Sequence, residues 1–254
     1  MLTLFTNAFS PFARKVAMAL DHKGLAYEAI DGLTRVNRAR LAAANPRGEV
    51  PALIDGDVTV VNSSDIVAYL DMKHPERPIY PADLKSRVDV RALERMADIR
   101  IDAIMLTCSI WTWAERKDEP PAGLQEAGQR DLDMNFARIE AILGAYPASV
   151  PFGHWTVAEF ALWPHLTAVR ALGFAMDAAR YPRLAAWFAA MRKDKLFVED
   201  GRRTREYLKT IDDDPGFERE KIFWRGDRIE WLLARGFQDW FMGEIKAGRT
   251  IWPE

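Results

Sequence analysis

The stretch NAFSPFARKV, residues 7–16, sets a hydroxyl directly before a proline at the start of a helical pattern. Upstream, Leu2, Leu4 and Phe5 read as a short buried strand. Proline suits the first helical position, where its missing N–H would have no intrahelical partner, and serine is a favoured N-cap before it. A helix N-terminus also carries partial positive charge, so Ser10 either caps the helix or faces an anionic ligand. Taken alone, the stretch reads as a cap.

Strand and helix signals alternate outward from it. The helix runs from Pro11 to about Lys23 and closes at Gly24, a residue free to take the left-handed cap conformation. LAYEAID (25–31) alternates like a strand, and Arg35 to Ala44 forms a short helix. PALIDGDVTVV (51–61) is a hairpin turning at Asp55-Gly56. NSSDIVAYLDMKH (62–74) opens with cap residues and places Ile66, Tyr69 and Leu70 at helical spacing. The order β-α-β-α-β-β-α contains a parallel βαβ crossover followed by a ββα unit.

HPERPIYPADLK (74–85) holds three prolines and reads as a linker. Beyond it no strand pattern appears. Helical patterns cover Leu84–Trp113, Leu124–Leu143, Thr156–Leu172 and Pro182–Arg192, with a capping box at Thr156–Glu159. The expected organisation is an α/β domain over 1–78, an all-helical domain over 86–200 and a C-terminal extension over 201–254. YLKTIDDDPGFERE (207–220) in that extension is polar and punctuated. Ile229, Leu232, Leu233, Phe237, Trp240 and Phe241 then make one helical stripe. Packing on the helical domain explains such a stripe, and a dimer contact or a lid over a cleft are the functional alternatives.

The 254 residues are 49% hydrophobic with a formal net charge of −2, enough for a sizeable core and without the basic excess of a nucleic-acid or acidic-membrane partner. No apolar run approaches the ~20 residues of a membrane span, and MLTLFT lacks a secretory signal's layout. One cysteine, Cys108, allows no intrachain disulfide and no cysteine-based metal site, and the four histidines lack ligand spacing. These features suggest a cytoplasmic globular protein without a metal.

SPFARKV (10–16), NPRGEVPALIDG (45–56), NSSDIVAYL (62–70), TVAEFALWPHL (156–166) and YPRLAAWFAAM (181–191), in that order, resemble the glutathione S-transferase superfamily over roughly the first two hundred residues. The resemblance implies a thioredoxin-like N-terminal domain, an all-α helical-bundle C-terminal domain and glutathione as co-substrate. FSPFA (9–13) is similar to the tau and omega classes, which carry serine or cysteine before Pro-Phe. By that likeness Ser10 donates a hydrogen bond to the glutathione sulfur, with Asn7 as runner-up. A free thiol titrates near pKa ~8.5, so a charge-assisted bond and a helix terminus raise the nucleophilic thiolate fraction. Serine at 10 and alanine at 13 exclude dithiol chemistry there.

The resemblance further implies a cis bond at Val50-Pro51, with Val50 pairing its backbone with the cysteinyl part of glutathione. Ser63 would hold the γ-glutamyl carboxylate. Asn62 departs from the family's usual glutamate or glutamine, giving the γ-glutamyl amine an uncharged, shorter acceptor, for which Asp65 could compensate. Arg38 and Arg47 are the candidates for the glycyl carboxylate. Phe12, Trp111 and Trp113 would border a small hydrophobic electrophile. Conjugation, ether cleavage, dehalogenation and isomerisation share one thiolate and stay open. A homodimer is implied. Asn62 and the unmatched extension motivate the alternative, a transferase-fold binding or regulatory protein with little or no catalysis.

Overall fold

A computed structural model of the chain describes residues 1–114, 116–147, 149–210 and 221–252. Strand β1 (Leu2–Thr6) leads through α1 (Pro11–Lys23) to β2 (Tyr27–Asp31), and α2 (Arg38–Ala44) leads to β3 (Ala52–Asp55) and β4 (Val58–Val61). The sheet order is β2-β1-β3-β4, with β1 parallel to β2 and antiparallel to β3. The hairpin turns at Gly56-Asp57, one residue later than expected, because Asp55 still pairs with Val58. Gly56 takes φ +64°, a conformation a Cβ would disfavour. Helix α3 (Ser63–Lys73) packs with α1 over Leu4 and Leu53, whereas Leu41 of α2 covers Phe5, Ile30 and Ala52 on the opposite face.

The periodicity read as one helix over 84–113 resolves into α4 (Leu84–Arg95), a π-helical segment (Met96–Ile101) and α5 (Asp102–Trp113). The bundle continues with α6 (Leu124–Leu143), α7 (Val157–Ala168), α8 (Pro182–Met191) and α9 (Lys195–Leu208). Helix α9 passes unbroken through residue 200, so the first residues assigned to the extension belong to the bundle. The fold is thus a thioredoxin-like α/β domain followed by a helical domain, and α7 packs against both α1 and α4.

The extension departs from its sequence pattern twice. A two-residue parallel pair, β5 (Ile222–Phe223) with β6 (Thr250–Ile251), lies where no strand was expected. The single aromatic stripe is two helices, α10 (Gly226–Ala234) and α11 (Gln238–Lys246), divided where Gly236 takes φ +84°. Residues 211–220 of the polar stretch, and 253–254, lie outside the described residues.

Burial holds the extension down: Trp224, Leu232 and Phe241 are 1%, 0% and 4% exposed. Polar pins surround them. Trp231 Nε1 and Arg235 bond Asp131 of α6 at 2.7 and 2.6 Å, and Arg116 meets Glu244 of α11 at 2.6 Å. Burying one such large apolar side chain is worth ~2–3 kcal/mol. Truncation after Thr210 should therefore cost solubility or lower the melting temperature by about 5 °C or more. A soluble product with an unchanged melting temperature would show that the extension adds nothing to the core.

Candidate active site

A cleft of about 400 Å³ opens where the loop before β3, the N-terminus of α3 and the α4–π–α5 helix meet. The first domain contributes Phe12, Arg47, Glu49, Val50, Pro51, Asn62, Ser63 and Ser64 to its walls. Arg91, Glu94, Arg95, Asp98 and Ile99 come from the helix opposite, and Arg225 and Asp227 come from the extension.

Local structure explains each placement. Asn45 is buried and braces the loop before β3: its Nδ2 donates to Glu49 O at 2.8 Å and its Oδ1 accepts from Arg47 N at 3.2 Å. The loop ends in a cis Val50-Pro51 bond that starts β3. Arg47 Nε donates to Glu49 at 2.7 Å. Asn62 takes φ +68°, a left-handed conformation unusual for a residue with a Cβ, and α3 begins just after it. Among the described residues no side chain caps that helix. Its first N–H groups, with buried Ser63 among them, are therefore open to an anion at the positive end of the helix dipole. Asn62 Nδ2 donates to Asp65 at 3.2 Å, which leaves its amide oxygen to accept from a ligand.

Behind this wall lies Lys15, a fully buried ammonium. It donates to Ser64 Oγ and Glu94 Oε1, both at 3.2 Å, and to Asp98. Ser64 in turn donates to Glu94 at 2.7 Å. Burial pushes the Asp98 carboxyl up, against the pull of Lys15. In the fold Ala13 to Leu20 are all buried, so the two cations of α1 can only be accommodated by partners from elsewhere, and no sequence signal gives that burial. The partners themselves, and Arg95, Asp98, Ile99, Arg225 and Asp227, carry no signal either and were missed.

Ser10 does not line the cleft. Its Oγ accepts from Ala13 N at 3.3 Å as the N-cap of α1, and the hydroxyl proton stays available to donate. Phe12 does reach the cleft, with the Arg225 guanidinium 4.5 Å above its ring centre. Asn7, the runner-up, is spent on structure. Its amide donates to Asp31 at 3.1 Å and Tyr207 Oη at 2.7 Å, and accepts from Phe9 N at 3.0 Å.

Three further expectations fall away from the cleft. Arg38 is exposed on α2. Trp111 packs on Trp240 of α11, ring centres 5.7 Å apart, because the extension covers that face of α5. Trp113 donates to Ser109 Oγ at 3.0 Å and is also absent from the walls. Burial pushes the Cys108 thiol up to about 12 and the His165 imidazole down to about 4, so neither is charged at neutral pH. Among the described residues no group of three or more His, Cys, Asp or Glu is placed to hold a metal ion.

Residues 4–78 match the glutathione S-transferase N-terminal domain family, and residues 112–190 match the glutathione S-transferase C-terminal domain family. The chain belongs to the glutathione S-transferase superfamily. It is 26% identical to mouse glutathione S-transferase omega-1 over 82% of this chain and 84% of that protein. Arabidopsis thaliana glutathione S-transferase Z1 is 43% identical over 89 residues, 34% of this chain and 40% of that protein. Among solved structures, maleylacetoacetate isomerase from Anaeromyxobacter dehalogenans, with glutathione bound in its active site, is 27% identical. It covers 79% of this chain and 94% of its own at a TM-score of 0.62. The C-terminal domain match ends at residue 190, so the segment that brings Arg225 and Asp227 to the cleft lies beyond the residues matched by the two domain families.

Proposed function

We propose that this transferase binds glutathione in the cleft and activates its thiol for attack on a small electrophile. The observation that carries the reading is that Arg47, Val50, Pro51, Asn62 and Ser63, from two separate loops, line one cleft whose far side is open to a second substrate. The open N-terminus of α3 at Ser63 takes the γ-glutamyl carboxylate, the Asn62 amide oxygen faces the γ-glutamyl amine, and Arg47 takes the glycyl carboxylate. Val50 pairs with the cysteinyl backbone, which directs the sulfur toward the start of α1. There Ser10 donates its remaining proton to the thiolate.

Phe12 and Ile99 supply apolar surface for the electrophile. Conjugation, ether cleavage, dehalogenation and isomerisation are all open to this thiolate, and the likeness to a maleylacetoacetate isomerase adds weight to isomerisation. The protein works as a homodimer in the cytoplasm on this reading, and light scattering should give twice the mass of one chain.

Titration calorimetry with glutathione and with an S-alkyl glutathione tests the reading. Saturable binding of both is expected, and binding of neither at millimolar concentration would favour a binding or regulatory protein of this fold. Ser10→Ala should lower turnover by about 10–100-fold, the worth of one charge-assisted hydrogen bond, while glutathione affinity changes little. The bound thiol should ionise about one pH unit higher or more, read by thiolate absorbance. Unchanged turnover would remove Ser10 from the mechanism.

A further inference from the structure

Four arginines and four carboxylates line the cleft, but the ion pairs among them leave guanidinium donors unused. Every carboxylate on its walls is committed: Glu49 to Arg47 at 2.7 Å, Glu94 and Asp98 to Lys15, and Asp227 to Arg225 at 2.7 Å. The cations are not all committed. Arg95 lines the cleft and has no hydrogen-bond or ion-pair partner among the described residues. Arg225 spends Nε on Asp227, at 3.1 Å, and Nη2 on Asp98 O, Asp102 and Asp227, at 2.8, 3.1 and 2.7 Å. Its Nη1, with two donors, bonds no described residue, and the guanidinium lies on Phe12 at the cleft wall. A guanidinium pinned through two nitrogens is held in one orientation, so the free edge is preorganised for an acceptor.

Glutathione as placed above brings two carboxylates, and the α3 N-terminus and Arg47 receive them. Arg95 and the free edge of Arg225 are left over. We infer that they form a second anion subsite, and that the electrophile of this transferase carries a carboxylate, held by Arg95 and Arg225 with its apolar part against Phe12 and Ile99. The inference rests on the glutathione reading and adds the substrate class to it. Arg225 would be the specificity-determining residue contributed by the extension.

S-carboxymethylglutathione and its uncharged isostere S-carbamoylmethylglutathione are the probes, titrated calorimetrically into the full chain. Wild type should bind the acid about tenfold or more tighter than the amide, the ratio expected of one charge-assisted hydrogen bond. Arg95→Met and Arg225→Met should each reduce that ratio, and the double variant should bring it close to one, with glutathione affinity unchanged. Arg225→Met also frees one of the pins on the extension, so Arg228→Met serves as a control. Arg228 bonds the same Asp102, at 3.0 Å, without lining the cleft, and its variant should keep the preference. Equal affinity of wild type for acid and amide overturns the inference while leaving glutathione binding standing. So does a loss of glutathione affinity in Arg95→Met equal to its loss for the acid, which would assign Arg95 to glutathione's own carboxylates. Failure of wild type to bind glutathione overturns the function reading, and the inference with it.

Discussion

Asp200→Ala should destabilise the fold by about 3–5 kcal/mol, because it strands a buried guanidinium. Asp200 of α9 is 3% exposed, and its two oxygens accept from Arg14 Nε at 3.2 and 3.1 Å and from Arg14 Nη2 at 2.6 Å. Trp163 Nε1 of α7 donates to the same carboxylate at 2.8 Å. One side chain therefore ties α1 of the first domain to two helices of the second, and removing it leaves both the Arg14 charge and the indole N–H without an acceptor. In a chain of this size such a loss lowers the melting temperature by about 10 °C. Asp200→Asn, which can still accept from Trp163, should fall between wild type and alanine. A urea unfolding free energy for Asp200→Ala within about 1 kcal/mol of wild type would show that the pair contributes little net stability, as some buried ion pairs do.

Glu159→Ala should cost a similar amount, about 3 kcal/mol or more, by leaving three donors unsatisfied in the core. The carboxylate is fully buried. It accepts from Thr156 N at 2.8 Å, Thr156 Oγ1 at 2.6 Å and Trp187 Nε1 at 2.9 Å, closing the capping box that starts α7 and fastening α8 to it. Burial raises its pKa to about 7, more than these bonds lower it. The folded state then holds a proton that the unfolded chain releases near the ordinary glutamate value. The stabilisation linked to this proton is full below about 4.5, declines as pH rises, and is gone above about 7. Glu159→Gln should flatten that part of the stability profile. If the profiles of wild type and the Glu159→Gln variant run parallel from pH 4.5 to 7, the raised titration is wrong.

The legible parts of the site are those whose chemistry is local. Ser10 before Pro11, the Val50-Pro51 step into β3 and Ser63 at the start of α3 each sit at an element boundary, where backbone groups need a specific neighbour. Their types and spacing can be read without knowing what faces them. Arg38 and Arg47 were indistinguishable in sequence, since both are basic residues near α2. Only the bracing of Arg47's loop by Asn45 turns it to the cleft, while Arg38 stays outside. Trp111 and Trp113 were assigned to the electrophile from the helix they occupy, and the face of that helix is decided by whatever covers it. Trp240 covers Trp111.

By itself the sequence determined the βαβ–ββα order, the helical second half and the family, because periodicity and caps act over a few residues and survive without knowledge of distant partners. Tertiary structure alone decided which charges are buried and what answers them. Lys15 with Glu94 and Asp98, Arg14 with Asp200, and Asp102 with Arg225 and Arg228 each join residues 79 or more positions apart. The break of the aromatic stripe at Gly236, and the route of the extension to Phe12, belong to the same class. A buried charge is tolerated only where the fold delivers its partner, and that delivery is a property of the packed chain rather than of any stretch within it.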